Sequence, residues 1–274
     1  MSNLVSQINV NMRSNMAYFR IIVPIYNSEP YLARALRDVR KQTFKDYHLI
    51  TVDDVSDDQE GIKKIVAEFK PDVEIYNTEK RFNGGSRNKG CEYFKDDLYT
   101  LFLDNDDEIP DEEVFQKLHD FIEENNRPDL IRLPYKSHWD DSGAESILKN
   151  YEDEKNIIDV ANSCRVAPWT KCVKTDKFVE FPENTLFEDV CQHLCQLDVV
   201  DTVAFFPNQV VLWHRYPKSA SAAKSGKWLS SQWRFVADLM DLKLNRPYTR
   251  ARRDHKLSWA IEERQNLNYA KEGI

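Results

Sequence analysis

No apolar run in this 274-residue chain is long enough to cross a bilayer, which argues against a spanning helix. Met1 to Tyr18 is polar and Asn-rich and lacks the apolar core of a secretion signal, so a cytoplasmic protein is expected. The five cysteines, Cys91, Cys164, Cys172, Cys191 and Cys195, form no C-x-x-C pair, which leaves no regular disulfide framework and points to reduced thiols. Cys191, His193 and Cys195 approach a zinc-like spacing. In "FEDVCQHLCQL", however, the two cysteines fall one helical turn apart beside Val190, Leu194 and Leu197, so buried helical thiols are expected. There is no internal repeat and no low-complexity linker. A Gly-rich basic loop is also missing after the first apolar stretch, where "PIYNSEPYL" stands, and this counts against nucleotidyl transfer.

What is present is ordinary for a globular protein: 41% hydrophobic and 31% charged residues, enough for one large domain or a domain with an appendage. The net charge of -8 hides an asymmetry. Between Lys218 and Lys256 there are ten Lys and Arg against three Asp, a local balance of +7, so the C-terminal segment is a separate electrostatic surface.

"FRIIVPIYN" reads as a strand stopping at Pro24. "SEPYLARALRDVRKQ" has helical spacing, with Leu32, Ala35, Leu36 and Val39 on one face, Ser28 as cap and Pro30 in the first turn. A strand "YHLITVDD", a helix from about Gly61 to Phe69, a strand "VEIY", a Gly-rich turn "NGGSRNKG", a short helix and a strand "YTLFLD" follow. Alternation of this kind predicts an α/β fold with a mostly parallel, Rossmann-like sheet flanked by helices. A helix from about Glu112 to Asn125, short strands in "DLIRLPY", "TVAFFP" and "QVVLWHR", and a basic helical tail complete the chain. The expected division is an N-terminal arm over 1–17, a main domain over 18–216 whose second half (111–216) is an elaboration packed on the first (18–110), and a basic extension over 217–274.

Two strands end in carboxylates, Asp53/Asp54 and Asp104/Asp106/Asp107, and ligands of open parallel sheets sit beyond strand carboxyl ends. The "LDNDD" loop has the D-x-D arrangement that holds a divalent ion against a diphosphate. A lone D-x-D is commonly a solvated acidic turn. The matching acidic end at Asp53/Asp54 favours the functional reading.

Six segments, "IIVPIYNSEPYLARAL", "QTFKDYHLITVDDVSDD", "NGGSRNKG", "LFLDNDDEI", "VAPWTKCV" and "FEDVCQHL", resemble in order and separation the family 2 glycosyltransferases, inverting nucleotide-sugar enzymes of the GT-A fold, over about Phe19 to Arg215. The resemblance implies a nucleoside-diphosphate sugar donor, a UDP-sugar first, and Mn2+ or Mg2+. It matches Pro24, Tyr26 and Asn27, with Glu29 beside them, to the loop that touches the nucleotide, and Asp53 and Asp54 to carboxylates meeting base and ribose. Arg87 and Asn88 match an element lying along the nucleotide and diphosphate. Asp104, with Asn105, would face the ribose or sugar, and Asp106 would be the principal metal ligand with Asp107 as a second candidate. Asp189, in the Glu188–Asp189 pair, matches the catalytic base, and Glu188–Asp189 also suits the first turn of a helix. His214 stands where a residue sometimes closes the metal site, and Arg215 beside it is placed to pair with phosphate. Two departures stand out: Val55 replaces the usual Gly, implying a tighter or displaced loop, and Gly84–Gly85 suggests a mobile turn over the nucleotide.

In the tail, Leu229, Trp233, Val236 and Met240 recur at helical spacing. With nearby Lys and Arg they fit a helix on anionic lipid and a lipid-linked acceptor. Arg250, Arg252 and Arg253, with Arg246, Lys256, Tyr248 and Trp259 interleaved, fit instead a phosphate backbone, so that DNA, hydroxylated at its bases as some phage enzymes require, is the expected anionic acceptor. A bland packed helix, and a non-catalytic nucleotide-sugar-binding module, are the alternatives.

Overall fold

Apolar strands separated by amphipathic helices assemble one eight-stranded sheet. The computed structural model describes residues 7–10, 16–146, 154–162, 165–183, 185, 187–216 and 235–272. The elements are β1 (Gln7–Val10), β2 (Phe19–Ile25), α1 (Glu29–Lys41), β3 (Tyr47–Asp53), α2 (Gln59–Phe69), β4 (Val73–Tyr76), α3 (Phe82–Cys91), β5 (Tyr99–Phe102), α4 (Val114–Glu124) and β6 (Leu130–Arg132). They continue with β7 (Tyr135–Trp139), β8 (Ala144–Glu145), α5 (Ile157–Asn162), β9 (Lys171–Lys174), α6 (Glu188–Val199), β10 (Val203–Phe205), β11 (Val211–Arg215) and α7 (Pro247–Glu272). Sheet order is β1-β4-β3-β2-β5-β9-β6-β10. The central β4, β3, β2 and β5 run parallel, whereas β1 and β9 pair antiparallel with their neighbours. Every residue of β2 and β3 is buried, as expected of strands covered on both faces.

α1 packs Leu32, Ala35, Leu36 and Val39 into the main core, as its spacing predicts. Ser28 stands at its cap position, yet its side chain makes no capping bond and its Oγ is buried without a hydrogen-bond partner among the described residues. The cysteine expectation holds in part: Cys191 is buried on α6 whereas Cys195 is only half-buried there, and Cys91, Cys172, Cys191 and Cys195 are free thiols. Cys164 lies outside the described residues.

Two sequence expectations are corrected. "NGGSRNKG" is helix α3 itself, with Gly84 and Gly85 buried in it, and no mobile turn stands there. The glycines allow close approach: a Cβ on Gly84 would lie 2.7 Å from the Pro182 carbonyl oxygen and 3.1 Å from Glu188 Cβ. Val55 is neither tighter nor displaced in conformation, since it takes φ = 61°, the left-handed region that glycine supplies freely. A β-branched residue there stores about 1–3 kcal/mol, against the roughly 0.5–1 kcal/mol of backbone entropy a glycine loses on folding. Val55→Gly is therefore expected to stabilise the protein by about 1 kcal/mol in urea denaturation, and a loss of stability would contradict the strain.

A second, three-stranded sheet, β11-β7-β8, stands against the first and is joined to the acidic loop through backbone pairing of Glu108 with Leu212. The tail packs by the bland alternative. Phe235, Val236, Leu239, Leu244 and Ala260 form one apolar cluster with Cys191 and Leu194 of α6. Residues 235–241 are helical, but Met240 is 65% exposed, so it does not share the buried face of Val236. Leu229 and Trp233 lie outside the described residues. Arg250 and Arg253 are turned back onto the chain: Arg250 donates to the Leu244 and Asn245 carbonyls, and Arg253 to the Leu242 carbonyl and to Asp254. Arg246 bonds Asp201 and the Val200 carbonyl. Arg252 is half-buried on the same helix. No helix among the described residues is long and apolar enough to cross a membrane.

Candidate active site

The carboxyl ends of β2, β3 and β5 open on one side of the sheet, and the loop after β5 is pinned there from two directions. Asn105 donates its amide to the Pro24 carbonyl at 2.7 Å, and Arg34 of α1 reaches the Asp106 carbonyl at 2.7 Å and the Glu108 carboxylate at 3.1 Å. Asn105 and Pro24 thus brace loop against strand. Arg34 had no signal in the sequence, being one cation among several on an amphipathic helix.

This loop carries unbalanced negative charge. Burial, then neighbouring Asp104, pushes the Asp106 carboxyl up to about 6. Asp107, 1% exposed, is driven well above the carboxylate range by burial, then by Asp104 and Asp106. Its Oδ1 accepts the His214 N–H at 2.9 Å, and its Oδ2 is buried with no hydrogen-bond partner among the described residues. Hard oxygen ligands, mutual repulsion and an orphaned carboxylate oxygen are what a divalent cation such as Mn2+ or Mg2+ fits. Asp106, with Asp107 behind it, is the set that would hold one.

Asp53 and Asp54 are buried and engaged within the protein. Asp53 accepts from the Ser56 hydroxyl and N–H and from Gln59 Nε2. Asp54 accepts the Arg81 and Phe82 N–H groups at 2.7 and 2.8 Å and so holds the start of α3, with Asn77 as a third donor. They brace the end of β3 and the start of α3; neither projects a free carboxylate. Tyr26 and Asn27 are exposed just after β2, Tyr26 under the Lys80 ammonium and Asn27 bonded through its side chain to Asp57, while Glu29 opens α1 beside them.

Arg87 and Asn88 do not lie free along a ligand path. Asn88 exchanges both its amide groups with the Phe181 backbone, at 2.8 Å each, fastening the segment before α6 onto α3. Arg87, 2% exposed, donates to Asp104 at 2.8 Å and to Glu188 at 3.0 Å. These two carboxylates outweigh desolvation and raise the guanidinium further. A single buried cation therefore joins the acidic loop to the first turn of α6.

That bridge divides the Glu188–Asp189 pair. Glu188 is buried and committed to Arg87, and burial raises its carboxyl against the pull of that cation. Asp189 is half-buried and bonds only the adjacent Val190 N–H among the described residues, so its carboxylate is the one left to act. Burial raises it, with Lys171 and then Arg87 pulling it down. Lys171, in the quoted "VAPWTKCV", was not singled out from the sequence: it is buried, donates to the Val166 carbonyl at 2.7 Å and approaches His193 at 3.3 Å.

His214 is placed next to the acidic loop through its backbone, and both its ring nitrogens are engaged by carboxylates other than Asp106. Nδ1 meets Asp140 at 2.7 Å and Nε2 meets Glu108 at 3.0 Å. With His138 it forms a His138–Asp140–His214 cluster, whose ligand atoms lie within 4.8 Å of one another. Arg215 follows on β11 and so points to the opposite face of the small sheet from His214.

The family model for glycosyl transferase family 2 matches residues 20–166. The minor teichoic acid biosynthesis protein GgaB of Bacillus subtilis is 32% identical over 189 residues, 67% of this chain and 20% of that protein. The poly(ribitol-phosphate) β-N-acetylglucosaminyltransferase TarS of Staphylococcus aureus is 28% identical over 179 residues, 62% of this chain and 30% of that protein. The chain thus spans less than a third of the length of these two curated relatives. Among solved structures, TarS residues 1–349 with UDP-GlcNAc superposes with a TM-score of 0.66 at 20% identity, covering 92% of this chain and 72% of that one. The mannosyltransferase PcManGT of Pyrobaculum calidifontis, with GDP-Man and Mn2+, gives 0.57 at 16% identity, covering 94% and 76%. At such identities the likeness is one of fold, and it agrees with the α/β sheet described above. Six ordered motifs, a mostly parallel sheet with its acidic loop at the strand ends, and a family match over more than half its length place this chain in glycosyl transferase family 2.

Proposed function

We propose that this protein transfers a sugar from a UDP-sugar, with inversion, to a hydroxyl of an anionic polymer joined by phosphodiesters, a polyol phosphate first. The observation that carries the reading is the Asp104–Arg87–Glu188 bridge, which sets the carboxylate loop and Asp189 on either side of one buried guanidinium. TarS, by its name, acts on poly(ribitol phosphate), and its fold neighbour was crystallised with UDP-GlcNAc, which supports both the donor and the acceptor class.

The chain's residues divide the work. Tyr26 and Asn27 offer the nucleotide an exposed rim, and Asp53 and Asp54 brace the end of β3 and the start of α3. Asp189 takes the proton from the acceptor hydroxyl as that oxygen attacks the anomeric carbon from the side opposite the diphosphate. A divalent ion at Asp106 would neutralise charge on the departing diphosphate. Arg87 keeps Asp104 and Glu188 from repelling each other and so maintains the spacing between loop and base. Duplex DNA, toward which the tail's charge points, stands second, because Arg250 and Arg253 are engaged with the chain itself.

The test is calorimetry of UDP-GlcNAc, UDP-glucose and GDP-mannose with and without Mn2+, on wild type and Asp106→Ala. Manganese-dependent binding of a UDP-sugar is expected, weakened about tenfold or more in the variant, which is the size of a lost charged contact. Absence of binding by all three in wild type would overturn the donor assignment.

A further inference from the structure

One exposed arginine on the small sheet is held in place without using its hydrogen-bonding edge. Arg215 lies directly across from Trp139 in the β11–β7 register, and Trp213 sits two residues earlier on the same face. Its guanidinium carbon lies over both indoles, 5.1 Å from the Trp139 ring centre and 5.0 Å from that of Trp213. Among the described residues its guanidinium makes no hydrogen bond or ion pair. Stacking with no donor spent leaves an oriented fork of N–H groups, the form in which arginine recognises phosphate oxygens.

Trp213 belongs to a longer run of rings. Trp213 packs on Trp169 at 5.9 Å and on Tyr135 at 6.3 Å, and Tyr135 meets Trp169 edge-on at 4.9 Å. Trp169 precedes Lys171 by two residues, and Lys171 is the cation whose charge Asp189 feels most. The Tyr135 hydroxyl, raised by burial, is pulled back by Arg165, Arg132 and Arg215. The one acidic group set among these cations, Glu154, is buried and held by Arg132 and Arg165. A chain of ring contacts therefore links the strand that carries Arg215 to the buried segment that carries Lys171.

We infer that the Trp139–Arg215–Trp213 stack is an acceptor subsite that takes a phosphodiester of the polymer while a neighbouring hydroxyl reaches Asp189. This rests on the proposed acceptor class and assigns it to specific residues. Arg215 binds a phosphate oxygen through its free edge, and the borders of the half-buried Trp139 and Trp213 indoles lie against the C–H surfaces of the intervening polyol. A single exposed guanidinium suits a flexible chain with one phosphate per short carbon unit, whereas a duplex demands a row of cations along its backbone.

The test uses a fluorescently labelled glycerol phosphate hexamer, a polyol of equal carbon number without phosphate, and a DNA duplex, titrated into the whole protein with UDP and Mn2+ present. Wild type is expected to bind the hexamer and not the neutral polyol. Arg215→Gln should weaken hexamer binding about ten- to hundredfold, as expected for one lost charged hydrogen-bonded contact, with melting temperature and UDP affinity unchanged. Arg215→Lys, which keeps charge but loses the planar fork, should recover only part of it. Equal hexamer affinity in wild type and Arg215→Gln would overturn the subsite and leave the acceptor class standing. Wild type that binds UDP but prefers the duplex, or binds no hexamer, would overturn the acceptor class and the subsite with it.

Discussion

Asp189→Asn should lower the turnover number by about a hundred- to ten-thousandfold, the usual worth of a positioned general base, while UDP binding is unchanged. The isosteric amide keeps the contact to Val190 available through its oxygen but cannot accept the hydroxyl proton. Because burial raises the Asp189 carboxyl, the base must lose its own proton at a higher pH than a free aspartate, which titrates near 3.9. The rate in wild type is therefore expected to rise with pH through a limb displaced above that value. In Asp189→Asn the residual rate should show no such limb. A variant that retains more than a tenth of wild-type turnover, or keeps the limb, would remove Asp189 from the base role.

Arg87→Met should cost about 3–5 kcal/mol, because breaking a buried ion pair leaves its partner charge unpaired. Most of that cost falls on Glu188, whose side chain is 9% exposed, since Asp104 at 31% retains water. Without Arg87 the Glu188 carboxyl rises further, and a carboxyl raised in the folded state gives up stability as pH rises. The deficit of Arg87→Met relative to wild type is thus smallest near pH 5 and grows toward pH 8 in urea denaturation. Adding Glu188→Gln should recover a large part of it at pH 8. A deficit under about 1 kcal/mol with no pH dependence would mean that the bridge does not hold the site together.

Strands and amphipathic helices were legible from the sequence where periodicity and burial agree, as in α1, β2 and β3. α3 was not. Gly84 and Gly85 read locally as a turn, and only the approach of Pro182 and Glu188 makes glycine the residue a helix needs there. Asp54, from the end of β3, supplies acceptors to the start of α3 that no local capping pattern announces. At the site, residue types at strand ends singled out Asp104 and Asp106, and only the family resemblance singled out Asp189, but the partners of Arg87 lie 17 and 101 positions away. Those of His214 lie 74 and 106 positions away. Contacts at such separation leave no trace in spacing, so the bridge that Arg87 makes between two parts of the protein was not legible. The tail's helix was visible from composition, while its packed face depended on α6, an element about fifty residues earlier.

β1 has a consequence for the solution behaviour of the chain. Gln7–Val10 pairs antiparallel along the whole of β4, Val73–Tyr76, and so occupies the outer hydrogen-bonding edge of the large sheet. An open edge strand rich in β-branched and aromatic residues is a template for another chain. With Gln7–Val10 in place, the edge left open is a four-residue, half-polar strand rather than the more apolar Val73–Tyr76, and so a poorer template for a second chain.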